Sequence, residues 1–370
     1  MLKRLDTKHY VPILRWKEAE RGALSQLADL DSICVTPLIE LVPDNFVQVD
    51  KKGHGAKLSS SSVTHKVVGQ LFKCWGDRPF FVDLWNLPKD ILSQGSSHPL
   101  IMLGEYGSTL GLSLIPVIGI NRDKTYKSAV RTVLKTHNQG VCLRLTPDDI
   151  NDPGLDQALS DVLSFLSLTP EEVDLLIDFQ IVEHSVPKFN TLCGLIPNIQ
   201  KWRNFILASG AFPKDLSRLQ KNQKHTIQRL DWTSWRDLAT AQSSSDRMPI
   251  YSDYTIQHAR YSRYAGQLRF SASIRYTTDD SWIIMRGEDV FNREGRGFKQ
   301  YPDWAILLCD LPEYCGETYS SGDKYIKEMS LQTTKTGGAA EWLQAGINHH
   351  MTFVVRQLAI LLGSSTVALP

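Results

Sequence analysis

Seven short apolar runs, with an eighth candidate behind them, punctuate the first 256 residues at fairly regular intervals. They are VPILRW (11–16), VTPLIEL (35–41), PFFVDLW (79–85), LSLIPVIGI (112–120), GVCLRLT (140–146), VDLLIDF (173–179), NFILASG (204–210) and PIYSDYTI (249–256). Most are rich in Val, Ile, Leu or Phe and lack the in–out alternation of a half-exposed antiparallel strand. Continuous apolar runs of this length are expected of parallel strands buried on both faces. The segments between them carry helical spacing, as in residues 18–30, 126–137 and 155–168. Strand and helix in alternation predict an α/β fold, either a doubly wound sheet or a barrel. Eight candidate strands, with no GxGxxG after the first, favour a TIM-barrel-like (βα)8 fold over residues 1–257.

Beyond residue 257 the pattern changes. Residues 268–277 and 281–287 read as a β-hairpin turning at the polar TDD (278–280). Three helical stretches follow at 301–314, 321–332 and 341–363, with Ser321 as the expected N-cap of the second and Pro312 interrupting the first. Residues 258–370 are therefore expected to form a β-hairpin and helical C-terminal section packed on the barrel. Residues 44–63 are expected to be a polar loop after the second strand, and residues 214–229 a solvated helix face.

Composition narrows the classes. With 41 Lys and Arg against 40 Asp and Glu, the formal charge is +1, so no global field draws nucleic acid or an anionic membrane. No stretch approaches the roughly 18 uninterrupted apolar residues of a membrane span, and the N-terminus lacks a signal-peptide core. The six cysteines include no CxxC pair, which suits a reducing compartment and a cytoplasmic location.

Candidate chemistry collects at the C-terminal ends of the strands, the end that faces the active-site mouth in such barrels. Glu40, Asp83 and Asp178 lie there, with Arg144 and Lys17 as cationic partners. Three carboxylates can hold a divalent cation or divide acid and base roles between them. An inter-strand ion-pair network that holds the barrel together explains the same residues. His350 lies on a helical stripe with Leu343, Ile347, Val354 and Leu358, whereas His349 shares a face with Trp342, Gly346 and Phe353. Neighbouring imidazoles point about 100° apart, so joint zinc ligation is disfavoured; a buried hydrogen-bonded histidine and a general acid–base at the mouth both remain open. Glu40, Asp83, Asp178 and His350 are thus the catalytic candidates. Lys17, Arg144, Asp323 and His349 are the ligand-binding ones.

Residues 258–301 interleave arginine with aromatics at a net +3. That composition fits a nucleic-acid or nucleotide surface and equally a protein interface, with Arg260, Arg263 and Arg275 as partner-binding candidates.

Four strings then point to a family. YVPILRWKEAERGAL (10–24), IRYTTDDSWIIMRG (274–287), YSSGDKYI (319–326) and GGAAEWLQAGINHHMTFV (337–354) together resemble the "beta protein" family of phages and bacteria. The resemblance implies a part in phage–host conflict, as anti-phage defence or counter-defence, and assigns no catalytic residue. Lys17, Ser321, Asp323, Trp342, His349 and His350 fall within its blocks. The sequence thus supports two readings: a ligand or catalytic site at the barrel mouth, with hydrolysis of a phosphate or nucleotide substrate as one such activity, or a non-catalytic module that binds a protein or nucleic acid.

Overall fold

In the computed structural model, described for residues 4–49, 55–182, 189–241, 247–262, 270–292, 294–332 and 334–363, the eight runs are the eight strands of a closed barrel. They are β1 (Tyr10–Arg15), β2 (Leu38–Glu40), β3 (Phe80–Asp83), β4 (Leu114–Ile118), β5 (Val141–Leu145), β6 (Val173–Ile181), β7 (Asn204–Gly210) and β8 (Ile250–Asp253). The strands follow one another around the barrel in chain order, and β8 pairs back on β1 through Tyr10 with Tyr251 and Pro12 with Asp253. The paired strands are parallel. Every residue of β1 to β5, β7 and β8 is buried, which is why the runs are continuous rather than alternating.

Local signals set the connections. Asp123 caps the helix Lys124–His137 by accepting from the Tyr126 N–H at 2.9 Å, and Asn138 ends it in the left-handed region at φ 48°. Ser59 caps the helix Ser60–Trp75, so the polar stretch expected at 44–63 ends earlier than its composition suggests. That stretch also holds a short antiparallel pair, Val47–Val49 with Gly55–Lys57.

The described residues group into two compact units. The barrel belongs to the first, drawn from Met1–Lys17, Thr36–Ser209 and Ser234–Asp253; the second draws on Glu18–Val35, Gly210–Thr233 and Tyr254–Pro370. In the second, a three-stranded antiparallel sheet has Ser281–Asp289 at its centre, flanked by Ser271–Thr277 and Gln223–Gln228. The hairpin turns at residues 278–280 as expected, with the Thr278 N–H donating to the Ser281 carbonyl at 2.8 Å.

Two local expectations are corrected here. Residues 223–228, read as part of a helix face, form an edge strand: their polar side chains conceal a backbone that pairs with Ser281–Asp289, and Lys at an edge is a common guard against further pairing. The helix expected at 321–332 spans Ser321–Ser330, but Ser320 rather than Ser321 is its cap, accepting from the Asp323 N–H at 3.0 Å.

One face of this sheet, through Ala272, Ile274, Tyr276, Ile283 and Met285, packs with residues of the helices Gln300–Cys309, Ser321–Ser330 and Ala339–Leu361. Glycine permits the closest approaches. A Cβ at Gly322 would lie 2.1 Å from the Ala345 carbonyl oxygen, and one at Gly346 would lie 2.7 Å from the Arg275 carbonyl oxygen. Among the described residues, no helix is long and apolar enough to cross a membrane.

A pair of glycine replacements tests this packing. Gly322→Ala forces two backbones apart and is expected to destabilise the protein by about 1–3 kcal/mol. Gly69→Ala, in the middle of Ser60–Trp75 with nothing within 4 Å of the added carbon, is expected to stabilise it by about 0.5–1 kcal/mol. Urea denaturation of both variants measures the contrast.

Candidate functional site

The pairing register brings the last residues of three strands into one row: Arg15 on β1 pairs with Glu40 on β2, and Glu40 with Asp83 on β3. Arg144 on β5 and Asp178 on β6 complete the group. The side chains of Glu40, Asp83, Arg144 and Asp178 are at most 3% exposed. Arg144 is the hub. Its Nη1 donates to Glu40 Oε1 and Asp83 Oδ2, both at 2.8 Å, while Nη2 and Nε donate to Asp178 Oδ2 at 2.6 and 3.0 Å.

The remaining carboxylate oxygens are engaged as well. Asp83 Oδ1 accepts from Arg122 Nη2 at 2.6 Å and from the Trp85 N–H at 2.8 Å. Glu40 Oε2 accepts from Asn86 Nδ2 at 2.9 Å and lies 4.0 Å from Arg15 Nε. Asp178 Oδ1 accepts from the Gln180 N–H at 2.8 Å, an arrangement that bends the chain through a positive φ of 57° at Gln180. Three guanidinium groups therefore face three carboxylates, and all six carboxylate oxygens accept hydrogen bonds. The Trp85 ring, 39% exposed, lies 5.0 Å from the Arg144 guanidinium carbon and 4.9 Å from that of Arg122.

This arrangement constrains the chemistry. A general base must be within reach of the proton it takes, and these side chains are at most 3% exposed, with each carboxylate oxygen already accepting a hydrogen bond. A cation bound by the three carboxylates would have to displace Arg144 from among them. Among the described residues, no three His, Cys, Asp or Glu side chains are grouped to hold a metal ion.

Lys17, the other cation expected here, forms a half-exposed pair with Asp44 at 2.8 Å. Sequence reasoning passed over Trp85 and Asn86, although they stand only two and three residues after Asp83. It also passed over Arg122, which sits in a loop with no periodic signal. Asp253, at the end of β8, was likewise missed; it accepts from the hydroxyls of Tyr10 and Tyr251 at 2.5 and 2.9 Å.

Asp323, His349 and His350 form a separate constellation within the second unit, where all three are completely buried. Asp323 accepts from the Tyr276 hydroxyl at 2.7 Å and the Ser320 hydroxyl at 2.5 Å. His349 Nδ1 lies 2.8 Å from Asp323 Oδ2, and its Nε2 lies 2.8 Å from the Thr277 carbonyl oxygen. An acceptor therefore lies on each side of the ring. The ring is stacked on Tyr276 at 3.8 Å. Burial alone would raise the pKa of Asp323, but the His349 charge and its hydrogen bond outweigh that and hold it below the ordinary 3.8. His350 Nδ1 is 2.8 Å from the Thr277 hydroxyl. Asn348, within the last of the four blocks, accepts from the Gly322 N–H at 2.9 Å and donates to the Ala23 carbonyl at 3.0 Å. The motif residues thus tie helices and sheet together.

Of the partner-binding trio, Arg260 is exposed. Arg275 donates to the Ile256 carbonyl at 2.8 Å, with its guanidinium carbon 4.8 Å from the Phe212 ring. Arg263 lies outside the described residues.

Fold and sites together define an α/β-barrel protein that carries a second, α+β unit. A family model described as Beta protein matches residues 10–356, and the chain belongs to that family. No curated protein matches it.

Two stability measurements follow from the networks. Arg144→Met leaves three buried carboxylates without their common cation and is expected to cost about 3–5 kcal/mol in denaturant unfolding at neutral pH. A loss under about 1 kcal/mol would show that the carboxylates find other donors. For Asp323, whose folded pKa is depressed, the stabilisation is complete well above 3.8 and is lost as pH falls through the lower folded value. Unfolding free energy measured from neutral into acid pH should fall more steeply for the wild type than for Asp323→Asn, which lacks this titration.

Proposed function

We propose that this Beta protein family member serves in phage–host conflict, the setting its family resemblance implies, and that its barrel mouth recognises a ligand rather than transforming one. The observation that carries this reading is the engagement of all six carboxylate oxygens of Glu40, Asp83 and Asp178. A hydrolase that used these groups would need one of them open to water or substrate, and their side chains are at most 3% exposed. The network instead supports the Trp85 ring, a partly exposed aromatic surface backed by two guanidinium groups. Such a platform suits a planar or apolar ligand face.

Phage plating on a bacterial host that expresses the full chain separates the readings. Trp85→Ala, at an exposed position, is expected to keep the thermal midpoint and to remove the plating effect. Glu40→Gln, Asp83→Asn and Asp178→Asn are expected to change plating only as far as they lower the midpoint. An amide variant with wild-type stability and no plating effect would establish catalysis by that carboxylate and end the binding reading.

A further inference from the structure

Arg286 differs from the other cations in the second unit. It lies on the central strand of the sheet, opposite Ser273, and is 7% exposed. Its Nε is buried without a hydrogen-bond partner, and its side chain makes no hydrogen bond or ion pair with any described residue. A buried guanidinium is normally paired, because taking the charge out of water must be offset by a counter-charge or acceptors. Among protein groups the Asp215 charge favours the guanidinium from beyond ion-pair distance, and it gives Nε no hydrogen bond. Arg286 lines a cavity of about 350 Å³, at the small end of the roughly 300–1,000 Å³ range of ligand pockets.

The lining complements an anion. Lys214 and Arg275 add two further cations, and Ser217, Ser271 and Ser273 add hydroxyls. The one carboxylate is Asp215, which accepts from the Ser217 N–H at 2.8 Å and is beyond ion-pair distance of Arg286. Three cations and one carboxylate leave a formal +2, which matches the roughly −1.5 to −2 of a phosphate monoester at neutral pH. Both a guanidinium fork and serine hydroxyls are suited to phosphate oxygens. We propose that this cavity binds a small phosphate-bearing ligand, no larger than a mononucleotide, with Arg286 as the residue that receives the phosphate. The site is independent of the barrel mouth and uses none of its residues.

Isothermal titration and thermal unfolding of the full chain, at constant ionic strength, test the assignment with three probes: inorganic phosphate, AMP and acetate. At least one phosphate probe should bind saturably and raise the thermal midpoint, and acetate should not. Whether phosphate alone suffices or AMP is needed distinguishes a free anion from a phosphorylated small molecule. Arg286→Met should weaken binding by at least about tenfold, with Arg286→Lys intermediate, because lysine keeps the charge and loses the fork. Without ligand, Arg286→Met should unfold no earlier than the wild type, since it removes an unpaired buried charge. The proposal fails if neither phosphate probe binds the wild type by about 10 mM, if acetate binds as well as phosphate, or if Arg286→Lys and Arg286→Met both bind like the wild type. A marked loss of unliganded stability in both variants would also overturn it, by giving Arg286 a structural role.

Discussion

A charge inside a protein must meet an opposite charge or a set of donors, because desolvation otherwise outweighs what burial gains. At the barrel mouth one side chain is the hub of the answer. Arg144 joins β5 to β2, β3 and β6 through carboxylates that would repel one another without it. Parallel pairing makes the junction attainable: Arg15, Glu40 and Asp83 end adjacent strands in one register row, so their side chains arrive at the same level. The opposite ends of the strands use the same device, where Asp174, second in β6, takes two hydrogen bonds from Arg203 and one from Asn204.

The second unit solves the same problem around Asp323, with a different mixture of partners. A tyrosine hydroxyl, a serine hydroxyl and His349 surround one carboxylate, and the far side of the imidazole reaches a strand carbonyl. The glycines of the same blocks act sterically. Gly322 lets the helices Ser321–Ser330 and Ala339–Leu361 touch through backbone atoms, and Gly346 admits strand Ser271–Thr277. In these blocks the conspicuous residues take part in packing and hydrogen bonding, and both nitrogens of His349 face acceptors. The two adjacent histidines both contact Thr277 of the sheet, His349 through its carbonyl and His350 through its hydroxyl.

How much of this was legible depends on whether the signal is local. Strands buried on both faces write themselves as unbroken apolar runs, so all eight could be placed, as could Glu40, Asp83, Arg144 and Asp178 at their C-terminal ends. The identity of the partners was less accessible. Arg144 and Glu40 are separated by 104 positions, and only the barrel closure and register bring them together. Arg122 stands in a loop where neither period nor composition marks it. The strand Gln223–Gln228 was hidden for another reason: an edge strand needs its backbone to pair, and its polar side chains carry no apolar alternation. The cap of Ser321–Ser330 shows the finer limit, since two consecutive serines were equally eligible and geometry chose the first.

Buried charge serves as a criterion that composition cannot supply. Residues 258–301 hold eight basic side chains, and nothing in the sequence ranks them. Geometry does. Arg275 gives a hydrogen bond to a carbonyl and Arg260 is exposed to water, whereas Arg286 is 7% exposed and its buried Nε has no hydrogen-bond partner. The same criterion applied to the barrel gives the opposite result, for there every carboxylate oxygen accepts a hydrogen bond. A satisfied network needs no ligand to explain why it persists. An unsatisfied cation beside an open cavity does, because selection for stability alone would favour an apolar residue of similar size at position 286.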